Sequence, residues 1–251
     1  MMSEETLDEI LDGKLRVLQK KKGYRFSLDS ILLAHFVSLK THSRVVELGC
    51  GAGIILLILA KRFNHVRYDG LEIQDKLAAL ARKNVDLNGV AQQVKITEGD
   101  VRNIKDVFPA NIFDAAVFNP PYRKLRSGRI NPEPEKAIAR HEVKGSLNDF
   151  MRAAQYLLKN GGQVFVVYPA KRLPELITVL RKNSIEPKRM KPVYSDNSSA
   201  AEFILVEGRK DSGEELKIEQ PLVIYDQNRK YSRDMMEIFT ELARFPNAAV
   251  G

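Results

Sequence analysis

The sequence predicts an α/β fold, and three observations carry that reading. From Arg44 onward, short apolar runs of strand length alternate with helical stretches, the pattern of parallel βαβ units. The first run ends in a glycine turn, Gly49-Cys50-Gly51-Ala52-Gly53, that opens a helix. The 251 residues, 44% apolar and 29% charged, suffice for one large domain and match ordinary globular composition, which excludes a fibrous or disordered chain.

Taken in chain order, the N-terminal stretch MMSEETLDEILD carries five acidic residues and no base, the opposite of a signal peptide. LRVLQKKKGYRFS places Lys22-Gly23 between two short β-favouring runs, and a hairpin is expected there. Residues 28–39 then read as a helix capped by Ser27 or Asp29. Strands are expected at residues 44–48, 66–72, 94–98, 113–119, 162–168 and 201–207, with 221–225 as a candidate final strand. Helices are expected at 54–63, 74–88, 148–160, 171–183 and 232–244. The second of these places Leu77, Leu80, Ala81, Val85 and Leu87 near a 3.6-residue period and stops at Asn88-Gly89. Two loops, residues 123–145 and 192–200, are long for a compact domain, and loops of that length usually serve a function or lack order.

Composition narrows the classes of function. Cys50 is the single cysteine, so an internal disulfide and a Cys-rich zinc site are excluded and a reducing, cytoplasmic compartment is expected. The longest apolar run, residues 54–60, ends at Lys61-Arg62, far short of the roughly 18 residues of a membrane span, so no membrane role is expected. Forty Lys and Arg against 32 Asp and Glu leave a net charge of +8, which favours a polyanionic partner.

The glycine turn has the spacing G-x-G-x-G followed by Ile54 and Ile55, where a dinucleotide fingerprint requires G-x-G-x-x-G/A. Glu47 precedes it. Glu72 ends the next strand, where a carboxylate can accept from both hydroxyls of a ribose, and Asp100 ends the third, where it can accept from an exocyclic amine. Each feature alone is equally a turn or a helix cap. In order, they line one edge of a sheet, the edge at which open α/β sheets bind ligands.

This ordered set resembles the class I S-adenosylmethionine-dependent methyltransferases, at motif level over residues 44–168 and by alternation of strands and helices over most of the chain. The resemblance implies a Rossmann-like sheet of seven strands, the last antiparallel, with helices on both faces. It also implies S-adenosyl-L-methionine as cofactor: Gly49, Gly51 and Gly53 along its methionine part, Glu47 near its amino group, Glu72 on the ribose and Asp100 on the adenine. Residues 1–40 are then a small helix and hairpin extension packing on a catalytic domain of residues 41–251.

Asn119-Pro120-Pro121-Tyr122 follows the fourth strand. One reading is a proline-stiffened turn. The other is chemical: a conjugated amine is a poor nucleophile until it pyramidalises, and the Asn119 side-chain oxygen and Pro120 carbonyl are uncharged acceptors for its two N–H groups. Tyr122 offers a face for stacking a base. The motif resembles the amino-methyltransferases, which modify adenine N6, cytosine N4 or a protein glutamine N5.

Charge and flanking sequence point to the substrate. Six basic residues and no acid lie in residues 13–26, seven basic against three acidic in 122–144, and seven against two in 171–191. Arg123, Lys124, Arg126 and Arg129 follow the motif directly and suit phosphate contacts to RNA. The longer run NPPYRKLRSGRINP, the AIARHE that follows it, and GYRFSLDSILLA near the N-terminus resemble the tRNA adenine-N6 methyltransferases that act beside the anticodon of valine tRNA. That likeness implies N6-methyladenosine formation in tRNA, places Phe26, Ser27 and Asp29 near the methionine end of the cofactor, and leaves Arg140, His141 and Glu142 without a role. The competing readings are a protein-glutamine N5 methyltransferase, another RNA or DNA adenine-N6 methyltransferase, or a non-catalytic RNA-binding protein. No metal is expected, and the chain is expected to be a monomer or weak homodimer.

Overall fold

The structure, a computed structural model, describes residues 5–21, 27–121 and 145–244. Phe26, Tyr122, Arg123, Lys124, Arg126, Arg129 and the 140–142 cluster lie outside the described residues.

The chain begins with an antiparallel hairpin of β1 (Glu5–Ile10) and β2 (Leu15–Lys20). Its turn is at Leu11-Asp12-Gly13, with φ of 52°, 54° and 74°, while the hairpin expected at Lys22-Gly23 lies outside the described residues. The run LRVLQ is therefore a second strand, and the acidic N-terminal stretch supplies the first. An Asp-Gly pair tolerates the positive φ that a tight hairpin demands. Next come α1 (Leu28–Phe36), β3 (Arg44–Leu48), α2 (Ile54–Arg62), β4 (Arg67–Glu72), α3 (Asp75–Leu87) and β5 (Val94–Glu98). A 3-10 turn, Val101–Asn103, leads into the short α4 (Ile104–Val107), then β6 (Phe113–Phe118). The second half holds α5 (Leu147–Leu157), β7 (Leu158–Pro169), α6 (Leu173–Lys182), β8 (Ile185–Tyr194) and β9 (Ala201–Lys210). It closes with β10 (Lys217–Ile218), β11 (Leu222–Val223) and α7 (Arg233–Ala243).

One sheet of nine strands runs β10-β8-β9-β7-β6-β3-β4-β5, with β11 also on β8. The strands from β7 through β5 pair in parallel, while β9 runs antiparallel to both β7 and β8. Seven long strands thus match the expected Rossmann-like arrangement, and the two extra ones are two-residue pairings along β8. The expected strand at 221–225 shrinks to one of these. β8 itself is not apparent in the sequence, because Pro187 and Pro192 and alternating charges hide its pattern. Prolines sit in sheets at edges and irregularities, and β8 shifts register at Pro187/Arg189 and again at Val193/Tyr194. The loop expected at 192–200 accordingly shortens to 195–200.

Side chains alternate across the sheet into two cores. On one face Val45, Tyr68, Val117, Phe165 and Leu205 pack with α1, α2, α3 and α7. On the other, Val46, Leu71, Phe118, Val166 and Val206 pack with α4, α5 and α6. Helix α2 is buried at every position from Ile54 to Ala60, and it approaches closely enough that a Cβ on Gly70 would lie 2.7 Å from the Leu56 side chain. The strand order reverses between β3 and β6, and at such a switch point the two crossovers leave in opposite directions and open a crevice.

Candidate active site

The strands β6, β3, β4 and β5 are neighbours and end level with one another, so Asn119, the glycine turn, Glu72 and Asp100 stand in that order along one edge of the sheet. At roughly 4.8 Å per strand, Asn119 and Asp100 are about 14 Å apart across the edge. The structure brings together every described residue of the expected set.

The turn after β3 is held by main-chain hydrogen bonds: the N–H groups of Gly49 and Cys50 both donate to the Leu71 carbonyl, at 2.7 and 2.9 Å. Gly49, Gly51 and Gly53 have φ of 73°, 55° and 85°, a region a Cβ disfavours. Space also favours glycine at Gly49, since a Cβ there would lie 3.3 Å from the Phe150 ring. Phe150 is carried by α5, whose start is fixed by a reciprocal cap between Ser146 and Asp149.

Glu72 is the brace of the turn. Its Oε2 accepts from the Gly51 N–H at 2.8 Å, its Oε1 from the Gln74 N–H at 3.0 Å, and burial pushes its carboxyl up from the usual range. Asp100 caps the 3-10 turn, accepting from the Arg102 N–H at 2.9 Å, and pairs with the Arg102 guanidinium. Its observed role is thus the helix cap that an acidic strand end commonly supplies.

Glu47 is 2% exposed, and no described group donates to its Oε2. Burial first, and then the neighbouring Glu72 charge, hold its carboxyl well above the ordinary value. A buried, unpartnered carboxylate oxygen is costly unless a donor or cation satisfies it. Beside it lies the glycine turn, whose open backbone lets a ligand come close. These residues fit a ligand that carries an ammonium group against Glu47 and a diol or amine further along the edge.

Asn119 is the first residue beyond β6. Its Nδ2 donates to Asp29 Oδ2 at 3.1 Å and to Ser30 Oγ at 3.4 Å, and no described residue donates to its Oδ1. Pro120 is buried behind it. The site therefore presents an oriented, uncharged acceptor next to a glycine turn and a buried carboxylate.

Two contributors carry little or no mark in the sequence. Asn84 is fully buried on α3, donates to the Ala52 and Leu18 carbonyls at 3.0 Å each, and accepts from the Leu18 N–H at 2.7 Å. It ties the glycine turn to the hairpin, and its signal is a polar residue on the apolar face of an amphipathic helix. Phe150 has no signal, because its role depends on a contact 101 residues from Gly49. Among the described residues no group of three or more His, Cys, Asp or Glu could hold a metal ion, and no helix is long and apolar enough to cross a membrane.

Comparison with known proteins adds the following. The family profile of the methyltransferase small domain matches residues 25–183. A tRNA1(Val) (adenine(37)-N6)-methyltransferase of Parabacteroides distasonis is 26% identical over 196 residues, 77% of this chain and 80% of that protein. A protein of the same name from Tolumonas auensis is 23% identical over 225 residues, 89% of this chain and 91% of its own length. Among solved structures, a predicted O-methyltransferase from Agrobacterium tumefaciens superposes with a TM-score of 0.70 at 20% identity, covering 88% of this chain and all of that one. A geranyl diphosphate C-methyltransferase from Streptomyces coelicolor, solved with S-adenosyl-L-homocysteine, superposes at 0.52 with 13% identity, covering 72% of this chain and 74% of its own.

Proposed function

The chain belongs to the methyltransferase small domain family, and on that premise we propose that it transfers a methyl group from S-adenosylmethionine to the N6 amine of an adenosine in tRNA, the one 3′ of the anticodon in valine tRNA. The observation that carries this reading is the oriented Asn119 amide at the strand end beside the glycine turn. The relatives named for this reaction at 22–32% identity support the choice of substrate. The cytoplasm, where tRNA is processed, is the proposed compartment.

S-adenosylmethionine supplies an electrophilic sulfonium methyl. Glu47 would hold its amino group, Gly49, Gly51 and Gly53 would admit its methionine part, with Phe26 and Asp29 assigned to that end, and Glu72 would accept from the ribose and Asp100 from the adenine. Asn119 Oδ1 and the Pro120 carbonyl accept the two N–H groups of the target amine. Both acceptors gain strength as the nitrogen pyramidalises and becomes positive, so they stabilise the transition state more than the substrate. Tyr122 stacks on the target base. No strong base is required, because the methylated nitrogen becomes acidic once it bears the charge. A base in a single-stranded loop is cheaper to present to such a pocket than one in a duplex.

Arg123, Lys124, Arg126 and Arg129 neutralise RNA phosphates beside the pocket. Replacing the first three with Ala is expected to weaken tRNA binding and flatten its salt dependence. The substrate is tested with an unmodified valine tRNA transcript: N6-methyladenosine is expected 3′ of the anticodon and is lost when that adenosine is changed to guanosine. Undiminished methylation of the changed transcript would place the target elsewhere.

A further inference from the structure

We infer that Asp29 is a positioning residue that sets which end of the Asn119 side chain faces the target amine. This rests on the amine-acceptor role proposed for Asn119. An asparagine amide has a donor end and an acceptor end of nearly equal shape, and only the acceptor end can receive an N–H of the substrate. The Nδ2 of Asn119 lies 3.1 Å from Asp29 Oδ2 and 3.4 Å from Ser30 Oγ. An ionised carboxylate only accepts, so Asp29 admits the NH2 end of Asn119 and rejects the oxygen end. No described residue donates to the opposite atom, Oδ1, which leaves it available to a substrate amine.

Asp29 is itself immobilised. It is 4% exposed at the start of α1, and its other oxygen accepts from the Ser30 N–H at 3.0 Å and from the Ser27 hydroxyl. The two carboxylate oxygens thus have separate tasks: Oδ1 is tied to its own helix start, and Oδ2 reaches the strand end 90 residues away. The isosteric exchange Asp29→Asn would remove this selection. The amide it introduces could offer its own NH2 to Asn119 Oδ1, turning the donor end of Asn119 toward the amine, where N–H would face N–H.

The test combines kinetics with a readout independent of catalysis. In protein labelled with 15N-asparagine, the Asn119 side-chain NH2 signals are identified by their absence from Asn119→Ala. In Asp29→Asn they are expected to shift, because the bond to a carboxylate is gone. With tRNA and S-adenosylmethionine, Asp29→Asn is expected to lower kcat by about 10- to 100-fold, the size of a lost charge-assisted hydrogen bond. KM for tRNA should stay within about twofold. The exchange Asp29→Asn with Asn119→Asp should recover much of the loss, since a carboxylate at 119 presents an acceptor whichever way it turns and takes its second bond from the amide at 29. Asn119→Asp alone should remain poor, with two carboxylates in contact.

An unshifted NH2 signal in Asp29→Asn, or an unchanged kcat in a wild-type enzyme that does methylate tRNA, would overturn the inference. So would a loss of cofactor affinity with kcat intact, which would make Asp29 a cofactor ligand instead. If the wild type forms no N6-methyladenosine while the signal still shifts in Asp29→Asn, the substrate reading fails and the orientation of Asn119 stands.

Discussion

The two flanks of the sheet treat polar side chains in opposite ways. Around β8, charges are mutually satisfied: Arg189 reaches Glu207 at 2.9 Å, Glu219 at 3.2 Å and the Phe36 carbonyl at 2.8 Å, with its guanidinium 3.9 Å from the Phe36 ring centroid. At the strand ends of β6, β3 and β4, in contrast, Glu47 Oε2 and Asn119 Oδ1 have no donor among the described residues. The first arrangement holds an irregular, proline-bearing strand to the fold. The second keeps acceptors ready for a ligand, at a cost in stability that the surrounding packing offsets.

Substitutions at each flank should separate these roles. Asn119→Ala is expected to lower methyl transfer by about 100- to 1000-fold, as the loss of a transition-state hydrogen-bonding group does, while calorimetry shows cofactor affinity nearly intact. Loss of cofactor binding would instead make Asn119 part of the cofactor pocket. On the other flank, Arg189→Ala should destabilise the protein by about 2 kcal/mol in denaturant unfolding, because it removes the pairs to Glu207 and Glu219, the bond to the Phe36 carbonyl and the contact with the Phe36 ring. Its kcat should be unchanged, and an activity loss equal to that of Asn119→Ala would erase the contrast between the flanks.

A smaller effect is expected at Glu47. Burial holds its carboxyl well above the ordinary range. Between the ordinary and the raised pKa, the unfolded chain is ionised there and the folded chain is protonated, so the contribution of this group to stability falls as pH rises through that window. Ligand binding runs the other way: only ionised Glu47 pairs with an ammonium, so cofactor affinity should rise as pH rises through the raised value. Glu47→Gln should weaken the cofactor by about tenfold, near 1.4 kcal/mol, and flatten that pH dependence. Least of all, Ser146→Ala should cost about 1 kcal/mol in thermal or denaturant unfolding through loss of the α5 cap, with a modest rise in cofactor Kd because Phe150 backs Gly49.

Local chemistry makes much of this edge readable in advance. Glycine spacing after an apolar strand marks a backbone turn whatever surrounds it, Glu72 closes β4, and Asp100 follows β5 by two residues. Less is legible where tertiary context decides. The alternating charges and prolines of β8 conceal a strand stabilised by β9 and by the two short pairings on its outer side. The β1–β2 hairpin is not apparent in the sequence because Asp12-Gly13 sits in an acidic stretch without alternation. Asp29 is legible as a helix cap, but its contact with Asn119 spans 90 residues and follows only from the docking of α1 beside the end of β6.

The most direct test of the account is transfer from tritiated S-adenosylmethionine to bulk unmodified tRNA, followed by nucleoside analysis. Label in N6-methyladenosine, absent with Asn119→Ala, is the predicted result. Label on protein alone, or in a nucleoside methylated at another atom, would contradict it.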